Sequence, residues 1–262
     1  MEYKNDKVLV EKFDTGVAKL TINNPPLNMV TLTMSQELYE TLKKIDEDDD
    51  VRVVVITGSG DRAYCVGSDI KEFPSVWSDV VELKLKKENE AFNMLELLSK
   101  PVIAAMEGFV LGGGCEMIQA CDLRIAAENC MLALPEINLG VVPGSGAMFR
   151  LPKLIGLGRA YELMYLGEKI SAAEAKEIGL VNKVVPEGTA CQHAMEMAEK
   201  IAQKSLLAVK TIKRYAREMM EETTSANFYK NLEMSHPVFA SPECEEGVKA
   251  FFEKRKPVFY KK

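Results

Sequence analysis

The amino-acid sequence predicts an α/β protein: a core of repeated strand-strand-helix units followed by a helical C-terminal extension. Three observations carry this. Short, nearly continuous apolar runs recur in the middle of the chain, at 51–56, 101–105 and 123–127, and such runs suit strands buried on both faces. A turn and a second short apolar run follow each of them, at 64–66, 109–111 and 130–134, and in the first two units a helical segment comes next. After about residue 150 the periodicity turns helical without a Gly/Ser-rich linker, so residues 1–200 read as one core and 201–262 as its extension. The spacing of the units is too irregular for a strict repeat.

The elements follow in order. Val17 to Ile22 alternates like a strand, and Asn-Asn-Pro-Pro at 23–26 ends it, because proline continues neither a helix nor a central strand. Met34, Leu38, Leu42 and Ile45 recur at helical spacing, and the all-acidic run 46–50 reads as that helix's solvated end. Gly58, Gly60 and Ala63 then imitate the GxGxxA dinucleotide fingerprint. That fingerprint needs a helix directly after it, whereas 64–66 reads as a strand, which argues against nucleotide binding here. A helix is expected over 77–98, with Leu83, Leu85, Phe92, Met94 and Leu95 as core or pocket residues. Ser171 and Glu174 are spaced as a capping box and Gly179 suits a helix stop. Leu206, Val209 and Ile212 mark a long helix, and 243–255 another.

Composition narrows the function classes. The 262 residues are 47% hydrophobic, enough for a sizeable core, and 33 basic against 39 acidic residues leave a net charge of -6. An acidic chain lacks the electrostatic footprint of a nucleic-acid or anionic-membrane binder. No apolar stretch approaches the ~20 residues that span a bilayer, and the start is too charged for a signal peptide, so a cytoplasmic location is expected. Six cysteines without a CxxC pair, and two histidines, predict buried free thiols and no metal site.

The chemistry-bearing residues cluster around Gly112, Gly113 and Gly114, which end a strand and open a helix. The N–H groups there sit at the helix's unpaired positive end and could receive an oxyanion; a helix-strand crossing too tight for a Cβ explains the glycines equally well. Glu116 falls in the first helical turn, and Glu136 ends an apolar strand, where a carboxylate needs a partner or a task. Ser145, between Gly144 and Gly146, is a possible nucleophile, but it lacks the GxSxG elbow, and His193 and His236 lie in later helical or helix-flanking segments.

Residues 65–72 (CVGSDIKE), 101–116 (PVIAAMEGFVLGGGCE) and 134–146 (LPEINLGVVPGSG) closely resemble the crotonase family of enoyl-CoA hydratases and isomerases. The resemblance extends through 170–181 (ISAAEAKEIGLV) and 247–256 (GVKAFFEKRK), nearly the whole chain. It implies a crotonase-like spiral whose catalytic core hydrates a trans-2-enoyl-CoA to the 3-hydroxyacyl-CoA, with isomerisation or other acyl-CoA enolate chemistry as the alternative and a non-catalytic RNA-binding member as a remote one. The backbone N–H groups of Ser68 and Gly113 would bind the thioester oxygen. Glu116 would activate the water that attacks C3, and Glu136 would exchange the proton at C2; family isomerases rely on the latter alone. Val66, Gly67, Asp69, Ile70, Lys71 and Gly112 would line the CoA thioester, and Lys254 would reach its nucleotide phosphate. No cofactor is implied beyond the coenzyme A carried by the substrate, no metal, and a homotrimer or dimer of trimers. Two departures stand out: Ser68 where the family commonly has alanine, and Ala147, Met148 and Phe149 before Arg150 where it commonly has TQRL.

Overall fold

The structure, a computed structural model, describes residues 5–218, 220 and 224–259, of which 224–229 by backbone alone. A hairpin of β1 (Val8–Lys12) and β2 (Val17–Ile22) leads into helix α1 (Leu32–Glu47). Three turns of a coil follow. The first is β3 (Val53–Gly58), β4 (Ala63–Cys65) and the helices α2 (Phe73–Val76) and α3 (Lys86–Leu97). The second is β5 (Val102–Met106), β6 (Phe109–Leu111) and α4 (Gly113–Gln119). The third is β7 (Leu123–Ala127), β8 (Met131–Ala133) and the helices α5 (Ala147–Ile155) and α6 (Leu157–Leu166). After β9 (Ile170–Ser171), α7 (Ala172–Glu177) and β10 (Lys183–Val185), the chain ends in α8 (Ala190–Ala202), α9 (Leu206–Glu218), α10 (Thr224–Phe239) and α11 (Pro242–Phe252).

The first strand of every unit enters one sheet and the second strand the other. The larger sheet runs β1-β2-β3-β5-β7-β10 and is parallel from β2 onward; the smaller runs β4-β6-β8-β9, with β4, β6 and β8 parallel. Each turn of the coil therefore advances one strand in both sheets, the expected spiral of strand-strand-helix units. Val53, Val54, Val55 and Ile56 and all of β5 are buried, as strands covered on both faces must be. Helix α8 supplies part of that cover: Ala190, Ala194, Ala198 and Ala202 form a fully buried stripe, and small side chains let the helix lie close on β2, β3, β5 and β7.

Several local expectations hold. Met34, Leu38, Leu42 and Ile45 are the buried face of α1, and Ser171 and Glu174 form a complete capping box. The dinucleotide look-alike turns straight from β3 into β4, and a Cβ on Gly58 would come within 2.4 Å of the Tyr64 carbonyl oxygen, so that glycine admits a strand and not a phosphate. All six cysteines are free, and no helix among the described residues is long and apolar enough to cross a membrane.

Three expectations need correction. Helix 77–98 starts later than expected: α2 stops at Val76, Trp77 is exposed, and the helix opens with a π-helical turn at Val81–Leu85, started by the Asp79 side chain accepting from the Glu82 N–H, that runs directly into α3. Phe92 and Leu95 join the core, Met94 packs against it, and Leu83 faces solvent. Strand β1 was not anticipated, because its apolar run Val8-Leu9-Val10 is short and flanked by charged residues, as suits the edge of a sheet. The acidic run is partly structural: Asp48 is buried and pairs with Lys12 at 2.8 Å, while Asp46 accepts from the Ser99 N–H and hydroxyl.

Candidate active site

The three glycines at the start of α4 stand in three different surroundings. Gly112 has φ +52°, in the left-handed region, and a Cβ there would lie 3.0 Å from Oε1 of Glu136. A Cβ on Gly114 would collide with the Cys65 carbonyl at 2.2 Å, so this glycine lets α4 cross β4. Gly113 has ordinary space, its nearest neighbours being the Gly67 Cα and the Ser68 nitrogen, each 3.5 Å from a Cβ position. The tight-crossing reading of the triplet therefore holds at Gly114, while the donor reading concerns Gly113.

Gly113 and Ser68 bring two backbone donors side by side. Gly67, with φ +92°, lies so close to the helix start that a Cβ on it would meet the Gly113 nitrogen at 2.8 Å. The flanking backbone is pinned: the Val30 N–H donates to the Gly67 carbonyl and the Asp69 N–H to the Val30 carbonyl, both at 2.8 Å. Neither the Ser68 nor the Gly113 N–H donates to a described residue, so both remain available at the positive end of α4.

Glu116 lies one turn into α4 and is 2% exposed. Its Oε1 accepts from the N–H groups of Ser145 (2.8 Å) and Ala147 (3.0 Å), which fixes one oxygen and leaves the other for chemistry. Burial pushes its pKa up to about 8; the two N–H bonds oppose the rise, and the negative charge of Glu136 adds to it. Glu136 stands in the short helical turn Pro135–Leu139 and is likewise raised by burial. Its Oε2 is buried without a hydrogen-bond partner among the described residues, the state of a group waiting for a ligand. The two acids and the two donors thus converge around Gly112 and Gly113.

A third carboxyl joins them. Glu88 of α3 is 1% exposed; it accepts from the hydroxyls of Ser68 (2.6 Å) and Ser145 (2.9 Å) and lies 3.4 Å from the buried ammonium of Lys84. Ser145 is consequently no nucleophile, since its N–H holds Glu116 and its hydroxyl holds Glu88. Glu88, Lys84 and the role of Ser145 were absent from the sequence reading. The only signal was the departure at Ser68, a hydroxyl in search of a partner.

The other expected ligand residues are placed unevenly. Val66 and Gly67 lead into the donor segment, and the Val66 N–H donates to the Leu27 carbonyl. The Asp69 side chain caps the short turn by accepting from the Lys71 N–H at 3.0 Å, and Ile70 and Lys71 are exposed beside it. Lys254 has φ +54° in the exposed turn after α11, a helix that packs on α10, so within one chain nothing joins it to the other site residues. Met148 and Phe149 are about half exposed on α5, and the buried Arg150 ties that helix to Glu96 at 2.7 Å. Two thiols flank the site: Cys65 ends β4 and Cys115 precedes Glu116, and burial pushes both up to about 12. Among the described residues no group of three or more His, Cys, Asp and Glu could hold a metal.

The family model described as enoyl-CoA hydratase/isomerase matches residues 12–262. The chain is 36% identical over 263 residues to crotonyl-CoA hydratase of Syntrophomonas wolfei, covering all of both chains. It is 37% identical to short-chain-enoyl-CoA hydratase of Clostridium acetobutylicum, covering 98% of this chain and 97% of that one. The crystal structure of enoyl-CoA hydratase from Bacillus anthracis superposes with a TM-score of 0.93 at 38% identity, covering 97% and 98% of the two chains. A match of this extent, over a spiral of the same architecture, shows that the chain belongs to the enoyl-CoA hydratase/isomerase family and has the crotonase fold.

Proposed function

We propose that this protein adds water reversibly across the double bond of a trans-2-enoyl-CoA, giving the 3-hydroxyacyl-CoA. One observation carries the reading: the buried carboxyl of Glu116 and the half-buried one of Glu136, whose Oε2 has no partner among the described residues, converge on a pair of uncommitted backbone donors, Ser68 and Gly113. The names of the relatives from Syntrophomonas wolfei and Clostridium acetobutylicum point the same way.

In the proposed reaction the thioester oxygen accepts from the Ser68 and Gly113 N–H groups, which stabilise the negative charge that grows on it as water attacks C3. Preorganised donors of this kind contribute ~10²–10³ each in rate. Glu116 takes the proton from the attacking water, and Glu136 delivers one to C2, so that the two acids exchange roles in the reverse direction. The reaction needs one carboxyl ionised and one protonated; burial raises both pKa values, and the negative charge of Glu136 raises that of Glu116 further, which disfavours ionising both acids together. No cofactor takes part beyond the coenzyme A of the substrate, which Val66, Gly67, Asp69, Ile70, Lys71 and Gly112 would line. Lys254 would reach the CoA phosphate of a neighbouring subunit in a homotrimer or dimer of trimers. Residues 1–200 form the catalytic core in this reading, 201–262 the extension that makes subunit contacts, and the protein works in the cytoplasm.

Crotonyl-CoA and longer enoyl-CoAs provide the direct test, followed by loss of the conjugated thioester absorbance and by product identification. Folded protein that hydrates none of them refutes the proposal. Glu136→Gln should abolish turnover and Glu116→Gln should lower hydration by at least ~10²-fold; wild-type rates in either would remove that residue from the mechanism.

A further inference from the structure

The carboxyl of Glu88 touches neither backbone donor directly, yet one residue separates it from each half of the site. On one side it accepts from Ser68, whose own N–H is an oxyanion donor. On the other it accepts from Ser145, whose N–H holds Oε1 of Glu116. Lys84 closes the arrangement: fully buried, it pairs with Glu72 at 2.6 Å and donates at 3.2 Å to the Val30 carbonyl, the same carbonyl that receives the Asp69 N–H. The segment 67–69 is thus gripped from its side chain and from its backbone by one cluster on the π-turn and α3.

Desolvating a carboxyl and an ammonium together costs several kcal/mol unless every lone pair and proton finds a partner, and here the serines supply those partners. The cluster also explains the serine found where relatives commonly have alanine. Its hydroxyl is committed to Glu88, so it is not free to compete with the N–H for the thioester oxygen.

We propose that Glu88 is a positioning residue for the hydration chemistry: tied to Ser68 on one side and Ser145 on the other, its carboxyl holds the oxyanion donor and the Glu116 carboxyl in register. This rests on the function proposed above. Misplacing either group by a fraction of an ångström weakens transition-state binding more than ground-state binding, because the charge on the thioester oxygen that these donors meet grows only as the reaction proceeds.

The test compares wild type with Glu88→Gln, Ser68→Ala and the double variant, using two readouts. For crotonyl-CoA hydration, Glu88→Gln should lower kcat by at least ~10-fold with KM changed by less than ~3-fold, and the double variant should be no slower than Glu88→Gln, as expected for residues acting as one unit. The second readout needs no turnover: the enolate of acetoacetyl-CoA has its own near-ultraviolet band, so wild type should develop that band on binding it, and Glu88→Gln should reduce the band at saturating ligand, whereas a wild type that develops none would overturn the donor pair that Glu88 is proposed to position. An undiminished band, or losses that add in the double variant, would overturn the role of Glu88. If wild type forms the enolate but hydrates nothing, the proposed reaction fails while the band still decides the fate of Glu88. A lower melting temperature with kcat and band unchanged would reduce Glu88 to a structural part and also overturn the inference.

Discussion

At the scale of single residues, function and stability pull against each other at Glu116. Its pKa in the folded protein is about 8, against ~4.3 in an unfolded chain. The folded state therefore binds the proton more tightly, and the resulting stability is complete below about pH 4, declines as pH rises, and is gone above about pH 8. At ~1.4 kcal/mol per pH unit the loss amounts to as much as ~5 kcal/mol. Glu116→Gln, which can still accept from the Ser145 and Ala147 N–H groups, should consequently melt higher than wild type at pH 8, with the difference vanishing near pH 4. Thermal denaturation across this range checks it, and a variant less stable than wild type at pH 8 would contradict it. Glu116 and Glu136 were legible in the sequence because an acid among apolar residues is conspicuous. Glu88 was not, because Lys84 and Glu88 four residues apart look like an ordinary exposed helical pair, and only the fold turns that pair inward. Ser145 was misleading for a similar reason, since its contribution runs partly through a backbone N–H that no side-chain pattern displays.

At the scale of elements, the junction of β6 and α4 separates packing from chemistry by one residue. Gly114→Ala drives a methyl into the backbone of β4 and should cost about 2–4 kcal/mol of stability, in the range of overpacked core sites. Gly113→Ala should leave the fold intact, because its methyl meets neighbours at ordinary distance, yet it fills the space before the Ser68 N–H and should lower kcat/KM by ~10²-fold. Urea denaturation and steady-state kinetics on both variants separate the two effects; equal losses of stability would refute the division. The strands were readable as elements because burial on both faces writes itself as unbroken apolar runs. The stretch between α2 and α3 was not, since the Asp79 cap that starts the helix there carries no periodic signal.

At the scale of the whole molecule, the coil follows from chain order alone, each unit laying one strand in each sheet. The C-terminal helices add something different. Helix α9 is anchored to the core by Lys213, which pairs with Asp122 at 2.8 Å and donates to the Leu95 and Lys100 carbonyls. On this helix and on the two that follow it, Ile212, Phe239, Val248, Phe251 and Phe252 are each more than half exposed, apolar surface of the kind that subunit contacts cover. Light scattering should find a stable oligomer, and Phe251→Ser with Phe252→Ser should shift it toward smaller species. A monomeric wild type would refute the assembly.

The thiols beside the site carry one more consequence. An α,β-unsaturated thioester is a Michael acceptor, and Cys65 and Cys115 flank the place where it would be polarised. With both thiols buried and held at about 12, only ~10⁻⁵ of each is thiolate at neutral pH, so soft nucleophiles can stand near an electrophile without being alkylated by it.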